Sequence, residues 1–281
     1  MTHASPRGTA DLHVHTTHSD GALTPAQTVQ AAANLGLAAL AITDHDATSG
    51  LVSAREEGRR LGVEVVNGIE FSAEWDGREI HLLGYFFRDD HNDLAEQASA
   101  VREARAQRAR EIASRLTRAG FQVDYQQVRQ TFPNAALGRR HFAEWLFRSK
   151  QTPSVREAFD RYLSDDRMAG LPQHRLDWRI AITVIRESGG VAALAHPPYY
   201  WKEAWLRDLI DGGMQAIEVR GPGISRSKEP RLRGWAEKFD LVPVAGSDFH
   251  DYDRVGRWLG AISTPAADME RLRRLSSAFS S

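Results

Sequence analysis

Cysteine is absent from all 281 residues, which excludes disulfides, thiolate metal ligands and cysteine nucleophiles. A metal site in this chain has to be built from imidazole and carboxylate. Neither sign of charge is in excess, since 36 Lys and Arg stand against 37 Asp and Glu for a formal net charge of -1. With no global basic field to draw in a polyanion, an anionic substrate must be held by charges placed locally. Long apolar runs are lacking too: nothing approaches the roughly 20 residues that span a bilayer. The opening segment from Met1 to Ala10 is polar, carries Pro6 and Gly8 and has no apolar stretch of signal-peptide length. The expectation is a cytoplasmic chain with no membrane association and no obligate protein partner. What is present is an ordinary globular balance, 42% hydrophobic and 26% charged, in a length that suits one large α/β domain or a barrel plus a smaller insertion.

Short apolar runs punctuated by Gly and Asp alternate with helical patterns, as βα units do. The expected strands are Thr9–His15, Leu37–Thr43, Val63–Ile69, Glu79–Tyr85, Val191–Ala195, Ala216–Val219 and Leu241–Ala245. Thr24-Pro25 reads as an N-cap followed by Pro at the first helical position, for a helix ending at Gly36, and a second helix from about Ser53 stops at Gly62. Trp75-Asp76-Gly77-Arg78 is a hairpin signal, so the third and fourth strands are expected to pair antiparallel and distort the barrel. From Asp93 to Pro172 the strand rhythm gives way to helical spacing. Leu94, Val101, Ile112 and Leu116 mark one helix; Phe142, Trp145 and Leu146, then Val155, Phe159 and Leu163, mark two more. The expected architecture is a distorted seven-stranded β/α barrel over residues 9–92 and 173–270, an inserted helical domain over 93–172, and a C-terminal tail over 271–281. Arg102, Arg105, Arg108, Arg110, Arg115 and Arg118 on the first inserted helix are interleaved with Glu96, Glu103 and Glu111. A solvated face explains them better than a track for a nucleic-acid backbone.

His13-Val14-His15 places two imidazoles on the same side of a strand, where both can reach one metal or two adjacent ones. By itself such a pair is equally well a pair of hydrogen-bonding histidines. Repetition changes that reading. Asp20 follows in Ser19-Asp20-Gly21; His45 lies just past the second strand and Glu70 just past the third; His81 follows the hairpin turn; His196 and then Asp248 and His250 close two later strands. Barrel enzymes collect their chemistry at strand ends, where the βα loops meet on a rigid scaffold. His13, His15, Asp20, His45, Glu70, His81, His196, Asp248 and His250 are more O and N donors than one tetrahedral ion can use. Two or three divalent ions sharing bridging carboxylates fit the set, with Glu70 as the bridging candidate. His91 and His174 match no ligand pattern and read as ordinary polar residues.

In this order DLHxH, SDG, TDHD, GIE, HLLGY, GRxH, AHP and GSDFH resemble the PHP (polymerase and histidinol phosphatase) superfamily over nearly the whole chain. The resemblance is to its stand-alone phosphoesterases, similar to nucleoside 3',5'-bisphosphate phosphatases and 5'-to-3' exoribonucleases. It implies a distorted barrel with a helical insertion and a trinuclear site holding manganese first, or iron, zinc or magnesium. The same nine side chains would be its ligands. It also implies that Arg139 and His141, in Gly138-Arg139-Arg140-His141, reach a substrate phosphate, for which a planar guanidinium is suited. Arg140 stands where the family has proline and is either a further phosphate contact or solvated, and His18, close to Asp20, is a further candidate for substrate contact.

Metals held by neutral imidazole and carboxylate lower the pKa of a bridging water. The expected reaction is therefore attack of metal-activated hydroxide on a phosphate ester, the substrate being a phosphorylated small molecule, a nucleotide or a short RNA or DNA. Glu70, Asp248, His196 and His141 are the candidate catalytic residues. Two rival classes fit parts of the pattern. One is an amidohydrolase-like C–N hydrolase, which a bridging carbamylated lysine would mark; the other is a non-catalytic metal-binding domain, which missing ligands would mark.

Overall fold

The computed structural model describes residues 9–133, 135, 137–164, 166–171, 175–252 and 258–276. His174 lies outside them. By contacts the chain forms two compact units, one of residues 1–98 and 175–281 and the other of residues 99–174.

The first unit is laid down as β1 (Thr9–Val14), α1 (Pro25–Asn34), β2 (Ala39–Ile42), α2 (Leu51–Leu61), β3 (Glu64–Trp75) and β4 (Arg78–Tyr85). Next comes α3 (Asn92–Arg118), within which the units divide. The second unit continues with α4 (Tyr125–Thr131), α5 (Arg139–Arg148) and α6 (Val155–Tyr162). The first then resumes with β5 (Leu176–Asp177), α7 (Trp178–Glu187), β6 (Val191–Leu194), α8 (Glu203–Asp211), β7 (Ala216–Arg220), α9 (Glu229–Lys238), β8 (Val242–Ala245), β9 (Thr264–Pro265) and α10 (Ala266–Leu275).

The sheet runs β8-β7-β6-β4-β3-β2-β1-β9, with β5 beside β3. A parallel bridge between Val14 and Phe249, in the segment after β8, brings the two ends of the seven-strand path together. The result is a nearly closed, barrel-like mixed α/β fold. Seven strands were expected and nine are found among the described residues. The two extra ones, β5 and β9, are two residues long, too short to leave any periodicity. The hairpin explains the other departure: β3 runs on to Trp75 because it pairs antiparallel with β4 from Gly68 opposite Tyr85 to Trp75 opposite Arg78. β4 also pairs antiparallel with β6, so it runs against both of its neighbours, as the short β9 does against β1, while the other pairings are parallel.

Local chemistry accounts for the elements. α1 opens on a capping box in which Thr24 accepts from Gln27 N and the Gln27 side chain accepts from Thr24 N. Gly62, at φ +70, ends α2 in the left-handed region. β2 and β6 are buried along their whole length, as strands covered on both faces must be, and accordingly read as continuous apolar runs. The core between them gathers Leu12, Leu83, Val191, Ala193, Val242 and Val244. Each large aliphatic side chain buried there contributes about 1.5–3 kcal/mol. Tyr85 brings a phenol into that core and satisfies it by donating to Leu12 O at 2.9 Å. The tail expected from residue 271 begins as the last turns of α10, whose Met269 and Leu272 belong to the same core.

In the second unit Ile112, Leu116, Val128, Phe142, Leu146, Ala158 and Leu163 form a separate apolar cluster. On α3, Arg110 pairs with Glu103, and Arg115 and Arg118 pair with Glu111, which fits the solvated-face reading of that helix. No helix among the described residues is long and apolar enough to cross a membrane.

Candidate metal centre

Alternation along β1 puts His13 and His15 on one side of the strand, and both are fully buried. Asp20 comes from the loop that follows, His45 from just beyond β2, His196 from just beyond β6, and Asp248 and His250 from just beyond β8. Glu70 and His81 arrive differently. Glu70 lies within β3, where it faces His45 through an isolated parallel bridge, rather than past the strand's end as expected. His81 lies in the first half of β4, because an antiparallel strand meets the mouth of the barrel with its N-terminal end.

These side chains converge. Their donor atoms form four overlapping groups, each of which could hold a metal ion: His15, Asp20, His45 and His250; His13, His15 and Asp248; His13, Glu70 and His196; and His45, Glu70 and His81. Glu70 Oε2 lies 3.3 Å from His13 Nε2, 3.1 Å from His15 Nε2 and 3.1 Å from His45 Nδ1. Glu70 Oε1 lies 2.8 Å from His81 Nδ1 and 3.1 Å from His196 Nε2. His15 Nε2 is 3.4 Å from Asp248 Oδ1, and His250 Nε2 is 3.2 Å from Asp20 Oδ1.

The set fits divalent ions. Ligands about 2.1 Å from a metal lie about 3.0 Å apart along an octahedral edge and about 3.4 Å along a tetrahedral one, close to the 2.8–3.4 Å that these contacts span. Five buried atoms of the cluster, His13 Nε2, His15 Nε2, Asp20 Oδ1, His45 Nδ1 and Glu70 Oε2, have no hydrogen-bond partner. Orphaned polar atoms at such burial are rare and costly unless something else satisfies them.

Charge within the cluster is strongly coupled. Burial opposes protonation of His15, yet the nearby carboxylates of Asp248, Glu70 and Asp20 push its pKa up to about 10. His81 is raised to about 10 in the same way, against burial, by Glu70 and Glu79. His45 goes the other way: burial first, and then the like charges of His15 and His81, hold it well below the ordinary imidazole range. Burial works against ionised Glu70, but His45, His81 and His13 more than offset it and hold the carboxyl far below its usual value.

The backbone is built around this arrangement. His196 and Asp248 adopt φ of +23° and +47°, in the left-handed region that non-glycine residues avoid and that recurs at functional sites. A Cβ on Gly246 would lie 2.3 Å from His13 Cβ, so only glycine lets the strand-end loop pass there. Buried carboxylates that sequence reading assigned no role act as struts. Asp11 accepts from Ser247 N, Ser247 Oγ and Gly260 N at 2.9, 2.6 and 2.8 Å. Asp44 accepts from Thr16 N, Thr16 Oγ1 and Ser19 Oγ. Glu218, wholly missed in the sequence, contacts His13 and His196. An acidic residue in the middle of the buried run Ala216–Val219 was the signal available.

Of the candidate substrate residues, His18 is half-buried on the loop after β1, with Nδ1 2.7 Å from Ser49 Oγ. Arg139, Arg140 and His141 form the first turn of α5 in the second unit. Arg139 donates to Leu163 O at 3.2 Å and lies over the Phe159 ring, while buried His141 accepts from Gly138 N at Nδ1, 3.0 Å away.

Residues 11–147 match the PHP domain family. The 5'-3' exoribonuclease Rnm of Escherichia coli is 35% identical over 263 residues, an overlap covering 89% of this chain and 90% of that protein. The chain belongs to the PHP domain family. A second relative of this PHP chain, the 3',5'-nucleoside bisphosphate phosphatase of Chromobacterium violaceum, is 32% identical over 256 residues, covering 89% of this chain and 90% of its own. A crystal structure described as that of a metal-dependent phosphoesterase from Bifidobacterium adolescentis superposes with a TM-score of 0.89 at 26% identity, covering 97% of this PHP chain and 98% of the other.

Proposed function

We propose that this PHP protein is a metal-dependent phosphoesterase that hydrolyses a phosphate ester of a nucleotide or short oligonucleotide. The observation that carries the reading is the convergence of six imidazoles and three carboxylates into four overlapping groups, with buried donor atoms left unsatisfied by the protein. His13, His15, Asp20, His45, Glu70, His81, His196, Asp248 and His250 would hold two or three divalent ions, manganese foremost, with iron, zinc or magnesium as substitutes. Bound there, such ions supply Lewis-acid polarisation of a phosphoryl oxygen and activation of water near neutral pH.

The chain's own residues do the rest. Glu70, a member of two of the four groups, would be shared between two of the ion sites, and Asp248 and His196 would complete the catalytic set. Arg139 and Arg140 neutralise phosphoryl oxygens from the N-terminal turn of α5, where the helix dipole also favours an anion. His141 accepts at Nδ1, which leaves the proton of the neutral ring on Nε2, and it would be the group that protonates the leaving oxygen. His18 would contribute a further polar contact to the substrate. Glu70, not a lysine, is the shared group, which favours phosphoester over C–N hydrolysis; an intact ligand set disfavours a non-catalytic role.

The test is a screen of the purified, chelator-treated protein with and without manganese. The substrates are a nucleoside 3',5'-bisphosphate, a 5'-mononucleotide and a short 5'-phosphorylated RNA. Manganese-dependent release of phosphate or mononucleotide is expected, and product length separates phosphatase from exonuclease action. Absence of any phosphoester cleavage with manganese present sinks the reading. Glu70→Ala and Asp248→Ala should each lower kcat by at least about 10²-fold, the scale of losing a principal electrostatic group.

A further inference from the structure

Glu218 sits in β7 between Ile217 and Val219, and its side chain is 1% exposed. A carboxylate in such a place costs several kcal/mol unless its oxygens are fully engaged, so where those oxygens go is informative. Oε1 lies 3.2 Å from His13 Nδ1 and Oε2 accepts from the His196 backbone N at 2.6 Å. Both are thus directed at two members of one group of candidate ligands, His13, Glu70 and His196. The other face of the carboxylate is closed by the turn after β7, where a Cβ on Gly221 would lie 3.2 Å from Oε1.

We propose that Glu218 is the positioning residue of this group, selecting the nitrogen that His13 presents to a metal and holding the left-handed backbone of His196 in place. The inference rests on the metal-centre reading above. A carboxylate can only accept, so His13 must donate from Nδ1, and its lone pair is left on Nε2. Nε2 is the atom that has no hydrogen-bond partner and lies 3.3 Å from Glu70 Oε2. A carboxylate behind a ligand imidazole fixes both ring orientation and tautomer. The second hydrogen bond restrains His196 where φ is +23°, a conformation that persists only when its surroundings enforce it.

Glu218→Gln tests this with little change in volume. Its amide oxygen can serve only one of the two donors. With that oxygen on His196 N, the amide NH₂ faces His13 Nδ1 and drives the ring proton to Nε2. In calorimetric titration of the chelator-treated protein with manganese, one class of site should weaken about 10–100-fold, the scale of losing such an outer partner, while Tm without metal stays near wild type. Ring-nitrogen NMR of the zinc-loaded wild type should show His13 protonated at Nδ1, a signature lost in the variant, and Glu218→Asp should recover part of the affinity. Unchanged manganese affinity in Glu218→Gln, or a His13 protonated at Nε2 in the zinc-loaded wild type, overturns the proposal. The NMR result stands even if the variant does not fold. A wild type that binds neither metal would instead remove the metal-centre reading itself.

Discussion

Two residues outside the set of candidate ligands show how closely the centre depends on its surroundings. Gly246→Ala would force a Cβ to within 2.3 Å of His13 Cβ and 2.5 Å of His13 N, so either the loop or β1 must move. The expected outcome is a loss of about 1–3 kcal/mol, the usual cost of overpacking, together with weakened metal binding. Thermal melts and metal content of the purified variant check both parts. Asp11→Ala removes the carboxylate that accepts from buried Ser247 N and Ser247 Oγ. Leaving buried donors unsatisfied costs about 1–3 kcal/mol apiece, so this variant should unfold at markedly lower denaturant, and an unchanged midpoint would show that the strut is dispensable. Histidines and acids at strand ends were legible in the sequence because their spacing repeats. Glu218 and Asp11 were not, since one acid inside an apolar run does not say which distant backbone it will bond.

At the level of elements, capping and turn residues marked boundaries well. Thr24, Pro25 and Gly62 delimit α1 and α2 where their chemistry says they should, and Asp76-Gly77, at φ +48° and +71°, turns β3 into β4. Thr24→Ala should cost about 0.5–2 kcal/mol, the usual range for a lost N-cap, while leaving manganese affinity unchanged. Denaturant unfolding beside a metal titration separates the two, and a fall in affinity would mean that α1 tunes the centre. The extent of β3 was not readable. Its apolar run stops near Ile69, but antiparallel pairing with β4 carries it to Trp75, and that pairing is what places Glu70 within a strand and His81 near the start of one. Trp201, next to two exposed tyrosines, shows the same limit. Its neighbours in the chain do not reveal that it is buried against Trp75 and Trp205.

For the molecule as a whole, candidate ligands drawn from β1, β3, β4 and the segments after β2, β6 and β8 mean that a bound ion would tie much of the barrel together. Metal that binds only the folded state stabilises it by about 2.7 kcal/mol at a hundredfold excess over Kd. Manganese should therefore raise Tm by several degrees and a chelator should reverse the gain. Because imidazoles ligate only when deprotonated, the gain should shrink as pH is lowered from 7.5 to 5.5; a metal-induced shift that persists in acid would argue against a histidine-rich site. The chain's own order of residues determined the class of fold, the strand rhythm and the chemical character of the centre, because periodicity, caps and ligand types are local properties. Tertiary structure alone decided which candidate donors lie together, where β3 ends, and that Glu218 stands behind His13. Those are relations between segments as far apart as residues 13 and 218, and only closure of the sheet brings them within a hydrogen bond of each other.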